Sequence, residues 1–168
     1  MGNVAYDNLE KMTKEIMYVM DGDLDFLRLL SIDTRDALSE TPTYTYSELM
    51  GDRIFPKYPR LNPETKQKSI FAVKHFSTAP FSGSKSIYKV SFTVDVICHD
   101  DIWLLNGENI RPYRIKAKLI DNILKLNLPS LDGTPVLIED REMFYSDQFS
   151  GYRLIFSWKS FSGWNNNV

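Results

Sequence analysis

Between Tyr88 and Cys98 apolar and polar side chains alternate. Tyr88, Val90, Phe92, Val94, Val96 and Cys98 fall in one phase, and Lys89, Ser91, Thr93 and Asp95 in the other. Successive side chains of a strand point to opposite faces of a sheet, so this run predicts a long half-buried strand with one face on a core and the other in water. Two further strands are predicted after it. Residues 136–144 form one, and residues 151–161 form another that sets Tyr152, Leu154, Phe156 and Trp158 against Arg153, Ile155, Ser157 and Lys159. Ile70 to Phe76 reads as a strand before it, joined through a Gly/Ser/Pro-rich connection at 77–86.

One amphipathic helix lies inside this set. Asp100 to Asn109 holds a brief apolar patch (Ile102 to Leu105) and the Asn106-Gly107 turn signal. Pro112 then suits a first helical turn, where its missing N–H is not needed. Ile115, Leu119, Ile120, Ile123 and Leu124 make the buried face, and Lys116, Asp121, Asn122 and Lys125 the wet one; Pro129 and Asp132-Gly133 close the segment.

The N-terminal part has a different character. Residues 7–20 read as a helix with Asp7 as its N-cap and Leu9, Met12, Ile16, Val19 and Met20 on one stripe. Asp21-Gly22-Asp23 ends it, and a short second helix carries Leu24, Leu27, Leu29 and Leu30. Pro42, Pro56, Pro59 and Pro63 interrupt 33–68, while Leu49, Ile54, Phe55, Tyr58 and Leu61 supply anchors. This predicts a long extended arm with one helical turn near Ser47–Met50, and structureless stretches of that length are usually functional or ordered by a partner.

The order predicts an α+β fold, with a largely antiparallel or mixed four-stranded sheet packed by one main helix. All 168 residues form a single domain on this reading. It comprises N-terminal helices (1–32), the arm (33–69), the α+β core (70–161) and a frayed tail (162–168), with no internal repeat. Hydrophobic residues at 43% and charged residues at 25% are ordinary for a globular chain. A net charge of −2 argues against bulk electrostatic grip on nucleic acid. Cys98 is the one cysteine, so there is no disulfide framework or multi-cysteine metal site, and a reducing compartment fits. Charges punctuate Met1 to Asp23 and apolar runs are short. The expectation is a soluble intracellular product with no membrane partner.

Reaction chemistry is hard to find. The common nucleophile, phosphate-loop, dinucleotide and zinc-protease signatures are all missing from the sequence. Cys98-His99-Asp100-Asp101, with Asp95 upstream, is the one cluster that looks chemical, but the other histidine, His75, lies in a different strand. Metal ligation needs several converging ligands, so this is read as a strand end turning into a polar loop, with Cys98 a buried thiol. The 82–86 segment has one glycine and opens a strand, unlike a phosphate cradle. Asp21, Asp23 and Asp25 hint at a calcium loop whose twelfth-position glutamate is replaced by Ile32. The aromatics from Tyr145 to Trp164 could stack bases, but only Arg153 and Lys159 accompany them, which favours core and interface roles. Arg111 and Arg114 sit where the helix dipole disfavours cations, which suggests a carboxylate partner from another segment or subunit, or simple solvation. No enzyme activity, cofactor or metal is expected.

Several runs carry a resemblance: Asp95 to Asp100 with Ile102-Trp103, Ile110 to Ile115, Ile120 to Leu124, Ser150 to Leu154, and Leu24 to Leu30 followed by an arm toward Ile54-Phe55-Pro56. Together they resemble small neck and tail proteins of long-tailed bacteriophages and prophages. The resemblance implies a structural virion subunit of the head–tail connector or tail-terminator type. It would be an α+β ring, a hexamer, that caps the tail tube and joins it to the head. Its partners would be further copies of itself, the tail tube protein and neck connector proteins, with DNA passing through the ring without sequence-specific binding. Its place would be the virion neck, and the host cytoplasm during assembly. Other tail or head-completion roles, a small nucleic-acid-binding module and a small enzyme or ligand-binding domain remain alternatives. Candidate interface residues are Phe81 and Lys85 in the 77–86 connection, Phe55 and Tyr58 in the arm, and Arg111 and Arg114 at the helix start. Left free, the apolar anchors of the arm would make a sticky surface, so they should pack on the parent domain or on a neighbour.

Overall fold

The structure, a computed structural model, describes residues 4–80, 87–127 and 132–161. The fold is α+β, and its sheet is five-stranded and mixed. The elements are α1 (Val4–Met17), α2 (Leu24–Ser31), β1 (Ile54–Phe55), β2 (Ser69–Pro80), β3 (Ile87–His99), α3 (Arg111–Ile123), β4 (Asp132–Ser146) and β5 (Phe149–Phe161). Strand order is β1-β2-β3-β5-β4, with β1 parallel to β2 and every other pair antiparallel. The fifth strand, β1, comes from the arm. It is only two residues long, too short for any period-2 signal.

The alternation in β3 holds on its apolar phase, but the other face is not in water as expected: Ser91, Thr93 and Asp95 are buried as well. Val90, Phe92, Val94, Val96 and Cys98 share one buried cluster with Phe71 and Val73 of β2 and Leu154, Phe156 and Trp158 of β5. Onto it fold Met12 and Ile16 of α1, Phe26, Leu29 and Leu30 of α2, and Ile115, Leu119 and Ile123 of α3. Phe26 meets Phe71 edge to face at 5.8 Å, and Phe92 meets Trp158 at 5.7 Å. The N-terminal helices thus cover the same sheet face as α3. Gly151 of β5 has no room for a side chain: a Cβ there would stand 2.0 Å from the Val96 carbonyl oxygen of β3, so only glycine fits.

Several boundaries differ from the sequence reading. Asp7 lies inside α1 and is not its cap, and tight turns carry the chain from Tyr18 to Asp23. Gly22 adopts φ +90° there. Asp23 caps α2, accepting from the Phe26 N–H at 2.9 Å. Phe26 is fully buried in α2 together with Leu29 and Leu30, while Leu24 is half exposed. Leu124 is partly exposed at the end of α3. β2 continues four residues beyond Phe76 to Pro80, past a bulge between His75 and Ser77 that shifts the side-chain phase and hides the strand from a period-2 search.

The arm is pinned. A single turn at Ser47–Leu49 falls where a helical turn was expected, and Leu49 and Ile54 enter the main cluster. Tyr46 donates its hydroxyl to the Met17 carbonyl at 2.6 Å. Arg53 forks onto Asp33 with two 2.7 Å bonds and reaches the Leu30 carbonyl. Beyond β1 the arm crosses to the other sheet face, where Phe55, Leu61 and Tyr145 pack on Ile70, Ile97 and Phe149.

Candidate assembly surfaces

Arg111 and Arg114, adjacent in the reading of the helix start, have opposite fates. Arg111 is fully buried. Its Nε donates to the Ile102 carbonyl at 2.9 Å, Nη1 to Leu29 and Ile32 at 2.7 and 2.6 Å, and Nη2 to Thr34 at 2.6 Å. Leu29 and Ile32 stand at the C-terminal end of α2, where carbonyls lack helical partners and carry the negative end of the dipole. The planar guanidinium fork is suited to collecting several carbonyls at once. Backbone oxygens of the same chain stand where a carboxylate partner or simple solvation was open for this side chain, and Arg111 is corrected from interface candidate to internal clasp. Burial also pulls its pKa below the usual arginine value. Arg114 is exposed and bonds to the Asn109 side-chain oxygen through Nε at 3.0 Å and through Nη2.

Phe55 and Tyr58 belong to the cover over the second sheet face. Tyr58 is 46% exposed and lies edge-on to Tyr145 with ring centres 5.5 Å apart. Beneath them Asp95, placed in water by the alternation, is only 2% exposed. Arg153 holds it from the neighbouring strand with bonds of 2.7 and 2.9 Å, and the Tyr145 hydroxyl donates to it at 3.0 Å. Burial first, and then the Asp95 charge, push the Tyr145 hydroxyl pKa well above its ordinary value. A charge so paired is compatible with the interior. Phe81 and Lys85 lie outside the described residues.

The polar cluster at the end of β3 is structural. His99 is buried against Phe149 and its Nδ1 accepts from the Asp101 N–H at 3.2 Å. Cys98 is buried beside Ser69, and burial pushes its thiol up to about 12. Asp23 is shared between its cap and Lys118, which reaches both carboxylate oxygens at 3.0 and 3.1 Å. Among the described residues no group of three or more His, Cys, Asp or Glu could hold a metal ion, and no helix is long and apolar enough to cross a membrane.

The two sheet edges are different. β4 pairs with β5 alone, leaving its other side unpaired among the described residues. Bulges interrupt it near both ends, and Glu139 to Phe144 pair regularly with β5 between them. Phe144 is 79% exposed, the most exposed large hydrophobic side chain described, and Val136 and Ile138 are more than half exposed. On the opposite edge, β1 covers only Phe71 and Ala72 of β2. The Phe71 N–H donates outward to the Arg53 carbonyl at 2.8 Å, so alternation turns the N–H and C=O of Val73 and His75 outward too. Beside them runs a groove of about 550 Å³ lined by Glu10, Thr13, Lys14 and Met17 of α1, by Pro56 and Lys57, and by Lys74 and His75. Lys57 and Lys74 form no ion pair among the described residues, and Phe76 is 59% exposed.

Sequence reasoning missed these edges. A signal was present in β4: Pro135, tolerated in sheets mainly at edges and bulges, and the charge run Glu139-Asp140-Arg141-Glu142. Lys57, Lys74 and His75 are scattered in sequence and become one surface only through β1–β2 pairing.

A family model, YomW, matches residues 23–158, which takes in α2, the arm and every strand but the last three residues of β5. No curated protein matches the chain. The match covers well over half of the sequence, and the chain belongs to the YomW family, which is phage- and prophage-derived.

Proposed function

We propose that the chain is a structural subunit of a phage neck, a head–tail joining or tail-terminator protein that assembles as a ring on the tail tube. The observation that carries this reading is the pair of open edges on opposite sides of one sheet, the stretch of β2 beyond β1 and the free side of β4 with Phe144 at 79% exposure. Unpaired strand edges are templates for another chain, and large apolar side chains left in water mark contact surfaces. Two different patches on opposite sides of a subunit are what head-to-tail cyclic assembly uses. The phage origin of the family supplies the setting in which such rings work. The clustered acids and cations elsewhere are engaged in holding the chain together, as Arg111, Arg153 and Lys118 illustrate.

The test is made in the phage. With the gene inactivated, lysates should accumulate heads and tails that fail to join, or tails of abnormal length, and antibody to the protein should decorate the neck of intact particles. Infectious particles formed normally without the protein, or particles that do not contain it, would refute the role.

A further inference from the structure

The two open edges match one another in direction and in charge. β2 and β4 run antiparallel within the chain, because β2, β3, β5 and β4 alternate in direction. A neighbouring copy added in the same strand orientation therefore brings its β4 against β2 as an antiparallel pair, the pattern the sheet already follows. The groove beside β2 begins where β1 ends, so an incoming strand would continue the position of β1 without displacing it.

We propose that residues 139–144 of β4 in one copy add as a strand beside residues 73–79 of β2 in the next, closing a head-to-tail ring. This rests on the reading of the chain as a ring subunit. The regular stretch of β4 is acidic: Glu139 is paired to Arg141 at 3.0 Å and Asp140 to Lys116 of α3 at 2.9 Å, which leaves the charge of Glu142 without an ion pair among the described residues. The receiving edge is basic through Lys57 and Lys74; burial lowers the pKa of His75 beside them, and Lys14 on the groove wall is paired to Glu10. Faces match as well. Glu142 and Phe144 alternate with Glu139, opposite Tyr152 and Ser150, so they point to the helix side, where Met17 and Pro56 offer apolar contact to Phe144. Glu139 and Lys74 both point to the other side, and with Phe144 beside Val73 the antiparallel pairing sets Met143 opposite Lys74 and Glu139 opposite Thr78. Main-chain bonds along the added strand would supply affinity, the seating of Phe144 the register, and the opposite overall charge of the two edges the choice of partner. An acidic edge repels a second acidic edge, which disfavours β4 meeting β4.

The experiment is sedimentation velocity on the full chain, up to about 1 mM, where contacts of only ~4 kcal/mol still register. Wild type should associate, and less so at high salt. Lys57→Glu/Lys74→Glu gives a chain with two acidic edges, and Glu139→Lys/Glu142→Lys one with two basic edges. Each alone should associate at least tenfold more weakly, with circular dichroism unchanged, and an equimolar mixture should recover association because every junction is again complementary. A wild type that stays monomeric throughout, single variants that associate like wild type, or a mixture no better than its components would overturn the pairing. The neck role is read separately from particles. Particles carrying the protein with variants that still associate sink the pairing alone, while recovered association with particles lacking the protein sinks the neck role alone.

Discussion

Arg111 and Lys74 are both cations, but one has all three guanidinium nitrogens bonded within its own chain and the other has no ion-pair partner among the described residues. The same contrast separates the interior from the sheet edges. Inside, Asp95, Arg153, Tyr145 and Arg53 find partners across elements, and even the arm is tied by Tyr46 to the end of α1. At the edges, outward backbone groups of β2, the unpaired side of β4 and the ring of Phe144 are left to solvent. Most buried polar groups are satisfied within the chain, with the indole N–H groups of Trp103 and Trp158 as exceptions, whereas exposed ones have water as an alternative until a partner displaces it. Polar satisfaction therefore separates what stabilises this fold from what remains available for contact.

Predictions follow this contrast in order of size. Arg111→Met keeps the length of the side chain but orphans carbonyls at the end of α2, and denaturant unfolding should show a loss of about 3–5 kcal/mol. A loss below 1 kcal/mol would mean that the clasp is not formed. Leu119→Ala, in the fully buried stripe of α3, should cost about 2–5 kcal/mol by the same measurement.

The third prediction concerns alkaline pH. The folded pKa of Cys98, about 12, lies above the ordinary value of 9.0, so the neutral thiol contributes its full stability below pH 9. That contribution is lost as pH rises from 9 toward 12, because the unfolded thiol ionises first. The stability gap between wild type and Cys98→Ala should narrow across this window, by on the order of 1 kcal/mol per pH unit. A constant gap would place the thiol in water. Smallest of all, Phe144→Ser should change unfolding by no more than about 0.5 kcal/mol, since the ring touches little of its own chain. It should weaken self-association all the same, and this divergence between stability and assembly distinguishes edge from interior.

Much of the fold was legible in the sequence. β3 and α3 announce themselves because each has one face in a single core over its whole length, and Phe92, Val94, Leu119, Ile123 and Phe156 are all fully buried as read. Bulges hid the last four residues of β2 and the start of β4, since each flips the phase on which the reading depends. Asp95 was assigned to water because a lone carboxylate carries no sign of Arg153, which is distant in sequence and adjacent only through β3–β5 pairing. Arg111 was recognised as misplaced for the helix dipole, but its partners are carbonyls, which no side-chain pattern records. The edges were least legible: whether a strand is central or peripheral is a property of topology, and Pro135 with the charge run in β4 was its only trace.

Amide hydrogen exchange of the full chain, compared between dilute and concentrated solution, addresses the central claim that this subunit assembles through its sheet edges. The account predicts new protection on concentration confined to residues 139–144 of β4 and 73–79 of β2, with the amides of α3 and β3 unchanged. Protection that instead appears on α1 or α3, with both edges exchanging as freely as in the monomer, would contradict it.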